Sequence, residues 1–416
     1  MDQKNRLLRK IAGALYRALP ILLLLGFIAF VMGTDTPEKR AEREKKEAEE
    51  SLAEAEAGVY PMSATGFFLD TVCSITIYEG GGQKALQDAQ ETLTRYDQLF
   101  DQSREGSDIF RINHRSGSGR IRIEGETAAL LLYAQKFSRA SEGDFDVTIG
   151  SLTALWDFQK RKKAPEKGDV LTALSERDPE GYEIDPDPED QERGGIQADW
   201  ILKGPEIFSE PEGEPCYFVS QREGIRIDVG AIAKGYIADL LAEEMKKEGV
   251  RSAVLNLGGN VLCIGKLPEG EDFVIGLRKP ERYAEEDIAD LSVSGLSVVT
   301  AGIYERYFED GGVQYHHILS TEDGYPVQNE LAAVTVVGPS SAVCDALSTT
   351  LFIKGTEEGL SFLQSLNESS GGEAQPYYAF FIGRNGSITA SEGAESLVLK
   401  VKDGYTLTER NQNAAD

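Results

Sequence analysis

Asp345 and Thr349 stand four residues apart in SSAVCDALSTTLF, a stretch otherwise made of small and apolar residues. On a helix, residues i and i+4 share a face. A carboxylate and a hydroxyl presented together suit a hard, oxygen-seeking cation such as Mg²⁺. The plainer alternative is a buried Asp bonded to a hydroxyl, since an acid on so apolar a helix needs some partner. A second segment, IRIDVGAIAKGYIADLLAEEM (225–245), reads as a strand ending at Asp228, a loop of small residues, and an amphipathic helix starting near Lys234. Free N–H groups and the positive dipole end of such a helix suit a phosphate, and Lys234 adds a point charge. The spacing is not that of a Walker A loop. The third segment, AVLNLGGNVLCIG (253–265), has strand-like runs on either side of Gly258–Gly259–Asn260. It is either an ordinary tight hairpin or a place where two glycines let backbone approach a ligand. Two of the three histidines are adjacent, His316 and His317. On a strand they face opposite sides, so only one enters a given pocket.

These residues need elements to hold them. Strand patterns cover Val72–Tyr78, Ser252–Leu257, Val261–Ile264, Phe273–Leu277, Ser297–Val299 and Ala333–Val337. Helical patterns cover Lys84–Leu99, Glu126–Ser141, Tyr236–Glu248, Ser341–Ile353 and Thr356–Gln364. Ser340 or Ser341 can cap the helix bearing Asp345, and Gly355 can end it. No repeat of solenoid period occurs, and the mixture predicts an α+β or α/β core. Residues 176–200, rich in Asp, Glu, Pro and Gly, read as an exposed acidic insertion.

The formal net charge of −27 over 416 residues repels phosphate backbones and excludes nucleic-acid binding. Four dispersed cysteines without a C-x-x-C pair argue against a zinc knuckle, and they read as small core residues. Residues 1–17 are basic, and Ala18 to Gly33 form an unbroken apolar run that extends back to Ile11 if Arg17 snorkels. Lys4, Arg6, Arg9, Lys10 and Arg17 precede the run, which places the N-terminus in the cytoplasm. No convincing small-residue cleavage site follows, so the segment reads as an uncleaved, single-pass signal anchor. Residues 34–57 form a charged helical spacer. The globular part, 58–410, is thereby expected on the extracytoplasmic face of the cell membrane.

Taken in order, DFDVTIGSLTALW (144–156), DVGAIAKGY, NLGGN, YHHI with DGYPV, and DALSTTLF resemble the ApbE family, the FAD:protein FMN transferases, over about residues 60–400. The resemblance implies an α+β fold of the ApbE (T-fold) type, with mixed sheets packed by helices. It also implies Mg²⁺-dependent cleavage of FAD at its pyrophosphate, release of AMP, and attachment of FMN to a Thr or Ser of a redox protein bearing a D-G-x-T-like motif. By position, the Ala231 carbonyl, Asp345 and Thr349 would hold the metal. Asp228, Lys234, Gly258, Gly259, Phe145, Asp146, Thr148 and Leu69 would line the FAD site, and His317 would be the base or a flavin contact. The chain departs from the family pattern at Ser320, Thr321 and Asp323, at Ala301 and Ile303, in Leu69–Asp70–Thr71 where M-G-T is usual, and at Ser103. FAD hydrolysis, or tethered flavin binding without catalysis, are the alternative activities.

Overall fold

The computed structural model describes residues 60–185, 217–369 and 375–409. The expected anchor at 18–33, the spacer at 34–57 and the later part of the acidic stretch lie outside the described residues. Among the described residues no helix is long and apolar enough to cross a membrane.

The described part opens with β1 (Met62–Phe68) and β2 (Thr71–Glu79), followed by α1 (Gly82–Phe100), α2 (Asp108–His114), β3 (Ile121–Ile123) and α3 (Gly125–Ala140). Next come α4 (Gly150–Trp156), α5 (Lys167–Ser175), β4 (Tyr182–Asp185), β5 (Tyr217–Gln221) and α6 (Ala233–Lys247). The middle of the chain supplies β6 (Ser252–Leu257), β7 (Asn260–Ile264), β8 (Phe273–Arg278), β9 (Asp287–Val293) and β10 (Ser297–Gly302). A ribbon of β11 (Tyr307–Asp310) and β12 (Val313–His316) precedes β13 (Leu331–Gly338) and α7 (Ser341–Ser369). The last strands are β14 (Tyr378–Gly383), β15 (Ser387–Ala390), β16 (Val398–Val401) and β17 (Thr406–Glu409).

Among the described residues nine strands join in one sheet, in the order β1-β2-β6-β7-β10-β13-β14-β15-β17. All pairs are antiparallel except β15 with β17. Every residue of β13 is buried, because both faces of the sheet are covered. Val334 and Val336 join the core shared with α1, α3, α6 and α7, whereas Ala333 and Val337 join the core under the β8–β9–β16 sheet. This is the two-residue alternation of a strand read from both sides. A third, smaller core gathers Leu152, Trp156 and Val170 with Phe308 and Leu319. There the Trp156 indole N–H donates to the Gly324 carbonyl at 2.8 Å, and Tyr315 stacks on the ring at a 5.4 Å centroid distance. The ribbon is thus packed onto α4.

The predicted helices Ser341–Ile353 and Thr356–Gln364 are both present, as the two halves of α7 on either side of Gly355, whose φ of 75° and ψ of −177° are not helical. Glu330 accepts from the Thr356 N–H at 3.0 Å and so caps the second half. The start of the acidic stretch is not an exposed insertion. Tyr182–Asp185 pair with β5, Tyr182 and Ile184 are buried, and the Tyr182 hydroxyl donates to the Leu131 carbonyl at 2.8 Å. Its alternating apolar residues outweigh the local charge.

Candidate active site

The site is built where α6 starts against α7. Gly235, in the first turn of α6, has no side chain because none fits: a Cβ there would overlap the Ser341 carbonyl. That close approach brings the Asp345 carboxylate to the start of α6, where its Oδ2 accepts from the Gly235 N–H at 3.0 Å. The regular partner of this N–H would be the Ala231 carbonyl, four residues back. Taken by Asp345, it leaves that carbonyl without a hydrogen bond among the described residues. The Lys234 ammonium donates to the Gly230 carbonyl at 3.2 Å and stands 3.8 Å from Asp345 Oδ2. Asp345 is buried, while Thr349, one turn on, is half-buried.

Asp228 shapes the loop that precedes α6. Its Oδ1 accepts from the Gly230 N–H at 2.9 Å, an Asx turn, and its Oδ2 accepts from the Thr153 hydroxyl at 2.7 Å. The segment holding Phe145, Asp146 and Thr148 supports this loop through its backbone, the Asp228 N–H donating to the Val147 carbonyl at 2.7 Å. The side chains of that segment are engaged elsewhere. Phe145 packs edge-on to Phe137 at 5.2 Å, and Thr148 donates to Asp146. Arg177 pairs with Asp146 at 2.6 Å. Burial raises the Asp146 carboxyl pKa, against the lowering effect of Thr148 and Arg177.

Gly258 and Gly259 form the β6–β7 turn with φ of 65° and 93°, so both need the left-handed conformation. Gly258 lies against Thr71 at the β1–β2 turn, whereas nothing fills the space a Cβ would take on Gly259. Leu69 and Asp70, at that β1–β2 turn, are also left-handed, with φ of 54° and 59°. For Leu69 this is costly, and such strain collects at functional sites. Asp97 Oδ1 holds the turn by accepting from the Leu69 N–H at 2.6 Å. Ser103, beyond α1, is exposed and bonded to Asp101.

The two histidines separate as strand parity requires. His316 is fully buried, edge-on to Phe352, with Nε2 2.9 Å from the Val327 carbonyl. Its pKa is pushed down to about 4, chiefly by burial. His317 belongs to the other face, and its Nδ1 is buried without a partner. Desolvation, then the Arg306 charge, with smaller effects of His316 and Lys234, push its pKa down to about 3. The Lys234 charge also reaches Cys73 on β2. Helix α4 joins loop and ribbon, its Thr153 bonding Asp228 and its Trp156 stacking on Tyr315.

Sequence reasoning missed Gly235, Thr153, Asp97 and Asp239. Asp239, on α6, caps the helix that carries Asp345. It accepts from the Ser341 N–H at 2.8 Å, the Ala342 N–H at 2.9 Å and the Ser340 hydroxyl at 2.7 Å. The signal available was one acid in the apolar run GYIADLL. Burial outweighs these bonds and raises its pKa from 3.8 to about 6. Folding therefore gains from its protonation below pH 3.8, and that gain is lost as pH rises through 6. Between pH 7 and pH 4, wild type should gain about 2 kcal/mol relative to Asp239→Asn. Urea unfolding of both proteins at the two pH values measures this, and a constant difference would refute it.

Among the described residues no three His, Cys, Asp or Glu side chains cluster as metal ligands. One carboxylate, one hydroxyl and one spare carbonyl remain, all hard oxygens. That set fits Mg²⁺, which takes one or two carboxylates and fills its other positions with water and substrate phosphate.

Comparison with known proteins identifies the family. The ApbE family model matches residues 69–371. An FAD:protein FMN transferase of Klebsiella pneumoniae is 30% identical over 316 residues, 76% of this chain and 87% of that one. One of Treponema pallidum is 27% identical over 368 residues, covering 85% and 93%. The crystal structure of the ApbE protein of Thermotoga maritima superposes with a TM-score of 0.67 at 24% identity, covering 81% of this chain and 99% of its own. Apo flavinyl transferase ApbE of Pseudomonas stutzeri gives 0.63 at 24% identity, covering 80% and 96%. The match runs through every segment that builds the site, and the chain belongs to the ApbE family.

Proposed function

We propose that this chain is an FAD:protein FMN transferase, moving the FMN part of FAD to a Thr or Ser hydroxyl of a redox protein and releasing AMP. The observation that carries the reading is the junction of α6 and α7. There a lysine, a helix start and an oxygen set adjoin, inside a family whose named relatives transfer FMN.

The residues divide the work. Lys234 and the N-terminal amides of α6 offset negative charge on the pyrophosphate. Asp345, Thr349 and the Ala231 carbonyl would hold Mg²⁺, which when bound supplies a Lewis acid to the phosphate oxygens. Asp228 fixes the loop that carries the Ala231 carbonyl. Gly258 and Gly259, with the Leu69 turn, leave backbone open beside the site for the flavin nucleotide. His317 is neutral at pH 7 and accepts the proton of the attacking hydroxyl, its basicity raised by the substrate's negative charge. The acceptor oxygen bonds to the FMN-side phosphorus as the bond to the AMP oxygen breaks.

The test uses the full chain with FAD, Mg²⁺ and a protein domain bearing a D-G-A-T sequence. A mass gain matching covalent FMN, together with AMP and both abolished by EDTA, is expected. AMP without the mass gain would make the protein a hydrolase, and bound FAD with neither product would make it a carrier. The apolar run at 18–33 and its basic flank support membrane tethering, with residues after Gly33 outside. Protease added to intact cells should then degrade the globular part, and full protection would sink that orientation.

A further inference from the structure

Several guanidiniums among the described residues are already neutralised: Arg95 by Glu126, Arg139 by Glu180, Arg177 by Asp146 and Arg251 by Glu79. Arg306 differs. It is exposed, and its side chain makes no hydrogen bond or ion pair among the described residues. The ribbon register explains where it points. Tyr307 pairs with His316, and the His317 N–H donates to the Arg306 carbonyl at 3.1 Å, so Arg306 stands directly opposite His317. Residues directly opposite in an antiparallel pair project from the same face. Arg306 therefore shares the face of His317, opposite to that of the buried His316. The charges of Arg306 and Lys234 both act on the His317 ring. Helix α4 ties the ribbon to the loop that leads to Lys234, Thr153 bonding Asp228 at 2.7 Å while Trp156 stacks on Tyr315, two residues before His317. The ribbon cannot swing freely, because Phe308 and Tyr315 anchor it to Trp156 and α4.

We propose that Arg306 is a substrate-binding residue, a second cationic contact for the FAD pyrophosphate beside His317. The inference rests on the flavin-nucleotide reading above and adds a residue to it. Its chemistry is that of a planar fork able to donate two parallel hydrogen bonds to phosphate oxygens, which a lysine reproduces only as a point charge. In a protein of net charge −27, a dianionic group needs such a local positive field to enter. Lys234 alone supplies little, because its ammonium is shared with Asp345 and the Gly230 carbonyl.

Two probes separate the parts of the substrate: ADP carries the pyrophosphate without the flavin, and riboflavin carries the flavin without phosphate. In the full chain, Arg306→Gln should weaken ADP binding about 10- to 30-fold, the loss of a charge-assisted pair, and leave riboflavin binding unchanged. Arg306→Lys should recover part of the loss. Undiminished ADP binding in Arg306→Gln, or an equal loss for both probes, would overturn the proposal. A wild-type chain that binds neither FAD nor riboflavin would overturn the flavin reading and this inference together. Wild-type FAD binding with undiminished ADP binding in the variant would overturn only the role of Arg306.

Discussion

An Asp345→Ala variant is expected to lose FMN transfer by about 10³-fold, the scale of removing a principal electrostatic group from a transition state. Riboflavin binding should survive. Two effects combine in this substitution. The oxygen set loses its only carboxylate, and the Gly235 N–H and the Lys234 ammonium lose the acceptor that holds them. Asp345→Asn separates the two, because an amide oxygen can still accept from Gly235 while carrying no charge. It should unfold at the wild-type denaturant midpoint yet remain as inactive as the alanine variant, and added Mg²⁺ should not rescue it at wild-type concentrations. Near-wild-type turnover of Asp345→Asn with an unchanged Mg²⁺ requirement would mean that the carboxylate does not serve the metal.

Gly235→Ala should have the largest structural effect of any one-carbon change near the site. The added methyl would overlap the Ser341 carbonyl and crowd Ala342, which are backbone and cannot rotate away. Helix α6 would have to move off α7, at a cost of about 3 kcal/mol for overpacking of this kind. The same movement draws the Gly235 N–H away from Asp345, so Mg²⁺ affinity should fall along with stability. Unfolding curves and Mg²⁺ titration of activity would measure the two effects. A variant with wild-type stability would show that the helices are not in contact there.

These two residues also mark the limit of what the sequence revealed. The i,i+4 relation of Asp345 and Thr349 is local, and so are the left-handed turn at Gly258–Gly259 and the opposed faces of His316 and His317. Each could be read from neighbours in the chain. That Asp345 takes the N–H of a glycine 110 residues away could not. Nor could the cap that Asp239 provides to Ser341 and Ala342 across 102 and 103 residues. Both depend on how two helices cross, and local pattern carries no information about that. The ion pair of Asp146 with Arg177 was hidden for a related reason. Arg177 sits in a stretch whose composition suggests a solvated loop, while its partner lies in the core. Elements with strong periodicity, such as β2, β6, β13 and α1, were legible. The short strands β14 to β17 were not, since β14, β15 and β17 extend the large sheet beyond β13 while β16 crosses to pair with β9.

The 110-residue separation of Gly235 and Asp345 also fixes when the site can exist. Ribosomes add about 5–20 residues per second, so roughly 5–20 s pass between synthesis of the Lys234 loop and arrival of its counter-ion. The sheet sets a longer delay, since Cys73 of β2 must wait for Leu257 of β6. A nascent chain ending before α7 carries the lysine and the glycine turns but not the acid and hydroxyl. Pairings of such sequence separation also slow the folding step itself. Activity therefore switches on late in the life of each molecule and all at once, and no shortened product of interrupted synthesis that stops before α7 can consume the nucleotide.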